Sequence, residues 1–140
     1  MSNLYGGQDL SGLGKGDKTY PPFAIADESK LREYIELSNQ VPILVVFGSG
    51  QDAAQIQQKL KVFIEEAAGR LLGLEIDIQS QPQLAQAFGV GQTPTVMALL
   101  GGQPAPLFQG DQPEQQISGV INQLLQAAVQ NGISGSVNLG

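Results

Sequence analysis

At 140 residues, 41% of them apolar, the chain is long enough to form one domain around its own core, with no need of disulfides or a metal to close it. Its net charge is −6, and the seven Lys and Arg form no basic run, so neither nucleic acid nor an anionic membrane is expected as a partner. Cysteine and histidine are both absent, which removes the thiol nucleophile, the imidazole base and the preferred zinc ligands together, so no cofactor, no metal and no enzymatic activity are expected.

Charged residues are only 14% of the chain, and glutamine replaces them on helix faces between Gln51 and Gln58 and between Gln79 and Gln86. The longest apolar runs, Val41 to Phe47 and Thr95 to Leu100, are strand length rather than membrane-span length. Residues 1–19 carry Gly6, Gly7, Gly12, Gly14 and Gly16 without a 2 or 3.6 period and read as a flexible arm. No apolar stretch in the arm resembles a secretory signal, so a cytoplasmic location is expected.

Order is expected over residues 20–130. Pro21 and Pro22 precede Phe23 to Ala26, a candidate edge strand, where paired prolines cost no ladder bond. Asp27, Glu28 and Ser29 open a helix with Leu31, Tyr34, Ile35 and Ser38 on one face, which stops before Pro42. Pro42 to Phe47 is nearly all apolar and β-branched, the pattern of a central parallel strand covered on both sides. Gly48, Ser49 and Gly50 break it. From Asp52 to Ala68, a stripe of Ile56, Leu60, Phe63, Ile64 and Ala67 predicts a helix ended by a left-handed Gly69.

Leu71 to Ile76 is the next strand, closed by Asp77, and the strand, helix, strand order requires a right-handed parallel crossover. Ser80 is placed to cap a short helix with Pro82 in its first turn and Gly89 at its end. Thr95 to Leu100 and Ala105 to Gln109, joined by Gly101 to Pro104, form a hairpin. In the last helix, Asp111 and Glu114 suggest a capping box ahead of a stripe of Ile117, Val120, Ile121, Leu124, Leu125 and Ala128. Residues 131–140 show no period and read as a tail or the start of a linker.

This order, with Thr93-Pro94-Thr95 leading into the hairpin and Asp77 closing the second parallel strand, resembles thioredoxin over Tyr20 to Gln130. The resemblance implies an α/β fold, a three-layer α/β/α sandwich with a mixed four- or five-stranded sheet. It also implies a cis Thr93–Pro94 bond that offers the preceding backbone groups to an extended peptide. The Trp-Cys-x-x-Cys motif of thioredoxins is missing: Ser49 to Gln55 stands in its place, within about two residues, Val46 occupies the position of the buried Asp on the central strand, and Gly48 that of a separate Trp directly after the strand's aromatic. Nucleophile, resolving thiol and proton carrier are all gone.

Tyr34 to Ser38, Glu66 to Arg70 and Pro106 to Gly110 are similar to the thioredoxin-like domain of YbbN-type co-chaperones of actinobacteria, whose members usually continue into helical repeats. Membership implies holding unfolded or partly folded client proteins and passing them to chaperonin or Hsp70 machinery. The implied binding groove takes in Gly50, Gln51, Asp52, Ala53, Gln92, Thr93 and Pro94.

Two other readings stand beside this one. Gly48 to Ala53 fits G-x-G-x-x-A between a strand and a helix, with Asp77 where a ribose-binding acid would lie, but the chain then turns into a hairpin and lacks the length for the second half of a dinucleotide fold. A passive scaffolding domain would explain the same lost chemistry, with Pro94 only shaping the approach to the hairpin. Asp52, Asp77 and Asp111 each have a structural place as helix cap or strand end, and Lys59, Lys61, Glu65, Glu66 and Arg70 read as a solvated face.

Overall fold

A computed structural model of the chain describes residues 19–91 and 94–139, the side chain of Asp52 excepted. The arm assigned to residues 1–19 lies outside the described residues apart from Thr19. The elements run β1 (Thr19–Tyr20), β2 (Phe23–Ile25), α1 (Glu28–Leu37), β3 (Ile43–Gly48), α2 (Gly50–Ala67), β4 (Leu72–Asp77), α3 (Pro82–Ala87), β5 (Thr95–Leu100), β6 (Gln103–Gln109), α4 (Glu114–Gln130) and β7 (Asn138–Leu139).

β3 is the apolar strand of the sequence, and all six of its residues are buried. It lies at the centre of a five-stranded sheet of order β2-β4-β3-β5-β6, in which β2, β4 and β3 are parallel and β5 and β6 antiparallel. Side chains alternate across the sheet, so β3 feeds two cores. Ile43, Val45 and Phe47 pack with Leu31 and Tyr34 of α1 and Leu84 of α3. Leu44 and Val46 pack with Ile56, Leu60 and Ile64 of α2 and Ile117, Ile121 and Leu124 of α4. Each such side chain removed from water contributes about 1.5–3 kcal/mol, so the two-sided burial of β3 anchors the three-layer sandwich.

Local chemistry sets the element ends. Asp27 caps α1 by accepting from the Lys30 N–H at 2.8 Å, as its position predicts. Ser38, fully buried, donates from its Oγ to the Ile35 carbonyl and accepts from the Gly102 N–H at 2.8 Å, tying the end of α1 to the β5–β6 turn. That turn needs only Gly101 and Gly102, both at positive φ, the conformation of the tight hairpin turn whose twist matches the strands.

Three expected caps differ. α2 ends on Ala68, itself left-handed at φ 54°, with Gly69 one step further. α3 is capped by Gln81 without a side-chain bond, because the Ser80 hydroxyl turns back to Asp77. α4 begins after Pro113, and Asp111 pairs with Lys59 at 2.6 Å in place of a capping box. An ion pair this exposed contributes about 1 kcal/mol at most.

The largest departure is at the C-terminal side. Residues 131–139, expected to form a tail, run back over the domain: Ile133 is buried, the Gly135 N–H donates to the Gln40 carbonyl at 2.9 Å and the Val137 N–H to the Gly69 carbonyl at 2.8 Å. β7 then pairs in parallel with β1. Backbone hydrogen bonds hold this strap, and they leave no hydrophobic period in the sequence.

On the same side of the sheet, Gly73 of β4 is opposite Phe23 of β2, and a Cβ on Gly73 would lie 2.4 Å from a Phe23 ring carbon. Gly73→Ala is therefore expected to push the ring out and cost about 1–2 kcal/mol in urea unfolding, whereas in a Phe23→Ala background the same change costs less than about 0.5 kcal/mol. Equal costs in both backgrounds would show that the ring does not constrain Gly73.

Candidate functional site

The parallel strands end together. In the register of the sheet Gly48 of β3 lies beside Asp77 of β4, and Phe47 beside Thr95 of β5, so one further step brings Pro94 level with Gly48. The loops leaving this row are β3–α2, β4–α3 and the approach to β5, which gathers at one end of the sheet the segments named from the sequence.

Each glycine of the β3–α2 turn has a local reason. Gly48 sits where a Cβ would come 3.2 Å from the Ala53 Cβ, so the first turn of α2 packs directly on the strand end. Gly50 adopts φ +60°, open to solvent, and lets the chain turn from extended Ser49 into the helix. Ala53 is buried, while Gly50 and Gln51 are exposed. Ser49 occupies the N-cap without a side-chain bond, so Asp52 is not the capping residue, and its side chain lies outside the described residues.

Pro94 is buried, and its carbonyl accepts from the Gly110 N–H at 2.7 Å, which commits that group to the fold. Gln92 and Thr93 lie outside the described residues. The row therefore joins Gly50, Gln51, Ala53 and Pro94 at one end of the sheet, with Gly50 and Gln51 presented and Ala53 and Pro94 serving as its packed floor.

Behind the row the surroundings are apolar. Val46 is fully buried among Leu44, Ile56, Leu60 and Val96, and the Phe47 ring meets Phe88 of the β4–β5 connection at a centroid distance of 5.3 Å. The acid of the row, Asp77, accepts from the Gln79 N–H at 2.9 Å and from the Ser80 hydroxyl at 3.3 Å, so it closes its own turn. Among the described residues no group of His, Cys, Asp and Glu could hold a metal ion, and no helix is long and apolar enough to cross a membrane. Among the described residues, the row offers backbone amides, the exposed Gln51 side chain and the Asp77 carboxylate engaged in its own turn.

A mutant thioredoxin from Halobacterium salinarum superposes on 80% of this chain and 95% of its own length with a TM-score of 0.62, at 19% identity. The fold is thioredoxin-like. A thioredoxin of Alicyclobacillus acidocaldarius is 27% identical over 67 residues, 48% of this chain and 64% of that protein. Uncharacterized proteins of Mycobacterium tuberculosis and Mycobacterium bovis are each 35% identical over 97 residues, 68% of this chain. The chain spans about a third of their length, the matched region being 32% of each. No family model matches. Within the thioredoxin-like fold, the row just described is the end of the sheet from which the β3–α2 turn leaves, and it carries Gly48, Ser49 and Gly50 with no thiol anywhere in the chain.

Proposed function

We propose that this domain works by holding other polypeptides, without a redox step. One observation carries the reading: the thioredoxin-like sheet is kept, while the position of the buried acid holds Val46 inside an apolar cluster and the segment from Ser49 to Gln55, in place of the thiol motif, holds no cysteine. Without a cysteine to supply the thiolate and without an acid at Val46 to carry its proton, no thiol exchange can start from this turn. Gly50 and Gln51 remain exposed beside Pro94, where an extended chain could pair with backbone groups.

By its resemblance to the YbbN-type co-chaperones, the domain holds unfolded or partly folded clients in the cytoplasm and passes them to chaperonin or Hsp70 machinery. The packing of Gly48 on Ala53 supports a structural role for this turn ahead of its reading as a phosphate loop.

The test is light scattering from a thermally unfolding client with this domain at equal molar amount. Aggregation is expected to fall by about half or more, and the double substitution Thr93→Gly, Pro94→Ala, if still folded by circular dichroism, is expected to lose most of that effect. No suppression by the unaltered chain would overturn the reading in favour of a scaffold with one fixed partner.

A further inference from the structure

The sheet has a second place where an extended chain fits, away from the row at the strand ends. β2 is an edge strand of three residues. Its inward bonds are defined: the Gly73 N–H donates to the Pro22 carbonyl at 2.8 Å and the Ala26 N–H to the Glu75 carbonyl at 2.8 Å. In a parallel ladder, alternate residues bond to opposite sides, so the N–H and C=O of Phe23 and Ile25 point away from β4. Among the described residues no strand pairs with that edge.

The side chains along the edge are equally suggestive. Phe23 and Ile25 share a face, and Ile25 is 75% exposed, the most exposed large apolar side chain among the described residues. Beside Phe23 an open groove is walled by Pro22 and, from α2, Ala54, Gln57, Gln58 and Lys61. Beside Ile25 a second groove is lined by Asp27, Glu75, Asp77, Ser80 and Gln81. No described cation pairs with Asp27, Glu75 or Asp77, whereas Glu28 has Arg32 and Glu33 has Lys30. An apolar step thus leads into unneutralised negative charge along an open strand edge.

The geometry points to the β2 edge as a docking site for an extended polypeptide that carries alternating apolar residues followed by lysine or arginine. Residues i and i+2 of the added strand cover Phe23 and Ile25, and a basic residue two positions on meets Glu75, Asp77 and Asp27. The backbone bonds to Phe23 and Ile25 supply affinity, and the carboxylates select for positive charge. This deepens the proposed holding function, on which it rests, by naming a second surface and the chemistry it selects.

The test uses two acetylated heptapeptides, each of alternating Val and Thr, one ending in two lysines and the other in two glutamates, titrated into the full chain by NMR and fluorescence anisotropy. The lysine peptide is expected to bind about tenfold tighter, with shifts centred on the Phe23 and Ile25 amides and a loss of affinity in high salt. Ile25→Pro removes an outward N–H without touching the ladder to β4, so it should weaken that peptide about tenfold in a folded protein, and Glu75→Gln about threefold.

Equal binding of the two peptides, or shifts confined to Gly50, Gln51 and Pro94, overturns the proposal. So does protection of the Phe23 and Ile25 amides from exchange in the free chain, which would mean that residues 1–18 already cover the edge. Undiminished aggregation suppression by Ile25→Pro, together with unchanged peptide affinity, removes this surface and leaves the holding function intact. Absence of suppression in the unaltered chain, with peptide selectivity retained, does the reverse.

Discussion

Val46→Asp is expected to bring the protein close to unfolding at pH 7 and to leave much of its stability intact in acid. The substitution restores the acid of the thioredoxin pattern, but into a cluster of Leu44, Ile56, Leu60 and Val96 with Glu75 as its register partner on the neighbouring strand. Burial and the nearby carboxylate both disfavour the charged form, so the folded-state pKa of the new group lies above its unfolded value of about 3.9. A folded state that keeps a proton the unfolded state has released loses stability as pH rises, by about 1.4 kcal/mol per unit between the two pKa values.

The total at pH 7 is about 4–6 kcal/mol, comparable to the whole stability of many domains. Val46→Asn separates charge from polarity: it is costly because of an unmet amide, but its cost should not change with pH. Urea midpoints measured from pH 4 to pH 8 check both, and a pH-independent difference between Val46→Asp and the unaltered protein would falsify the apolar description of this site.

Gly69→Ala carries the second large effect. Gly69 lies at φ +95°, and a Cβ there would come 2.0 Å from the Val137 carbonyl oxygen, a backbone atom that cannot move unless the strap moves. The same strap residue donates its N–H to the Gly69 carbonyl, so the clash and the bond oppose each other directly. The expected cost is about 2–4 kcal/mol, made up of left-handed strain in alanine and the loss of strap contacts. Faster hydrogen exchange at Gly135 and Val137 should accompany it. In a chain shortened after Ile133 only the strain remains, and the cost falls to about 1–2 kcal/mol. An equal cost in both lengths would show that the strap does not press on Gly69.

The fold was legible in the sequence where hydrophobic period and turn chemistry coincide. Pro42 to Phe47 marks the central strand, the stripe from Ile117 to Ala128 marks α4, and Gly101 to Pro104 marks the hairpin, each within a residue or two of the observed element. Features made by distant partners were not legible. Lys59 and Asp111 read as a surface charge and a cap because nothing local shows that they meet across 52 positions. The strap is illegible for a related reason: a two-residue strand paired with Thr19 and Tyr20, and single bonds from Gly135 and Val137 to the carbonyls of Gln40 and Gly69, leave no pattern for a window of sequence to detect.

The site divides in the same way. Gly50, Gln51 and Ala53 fall at the strand end where the resemblance put them, because the strand-to-helix turn is a local feature. The groove beside Ile25, lined by Glu75, is formed by residues some 50 positions apart and has no local signature. Pro21-Pro22 before an apolar triplet signals an edge strand, but nothing local shows that Ile25 is 75% exposed on it.

The pairing of β1 with β7 also has a mechanical consequence. The two strands run in the same direction, so tension applied to the chain ahead of Thr19 and behind Leu139 pulls them oppositely along their length. Their ladder is loaded in shear, all its bonds at once, together with the Gly135 and Val137 bonds behind it, and does not open one bond at a time from an end. A domain tethered on both sides would keep its sheet under a pull that peels apart a hairpin.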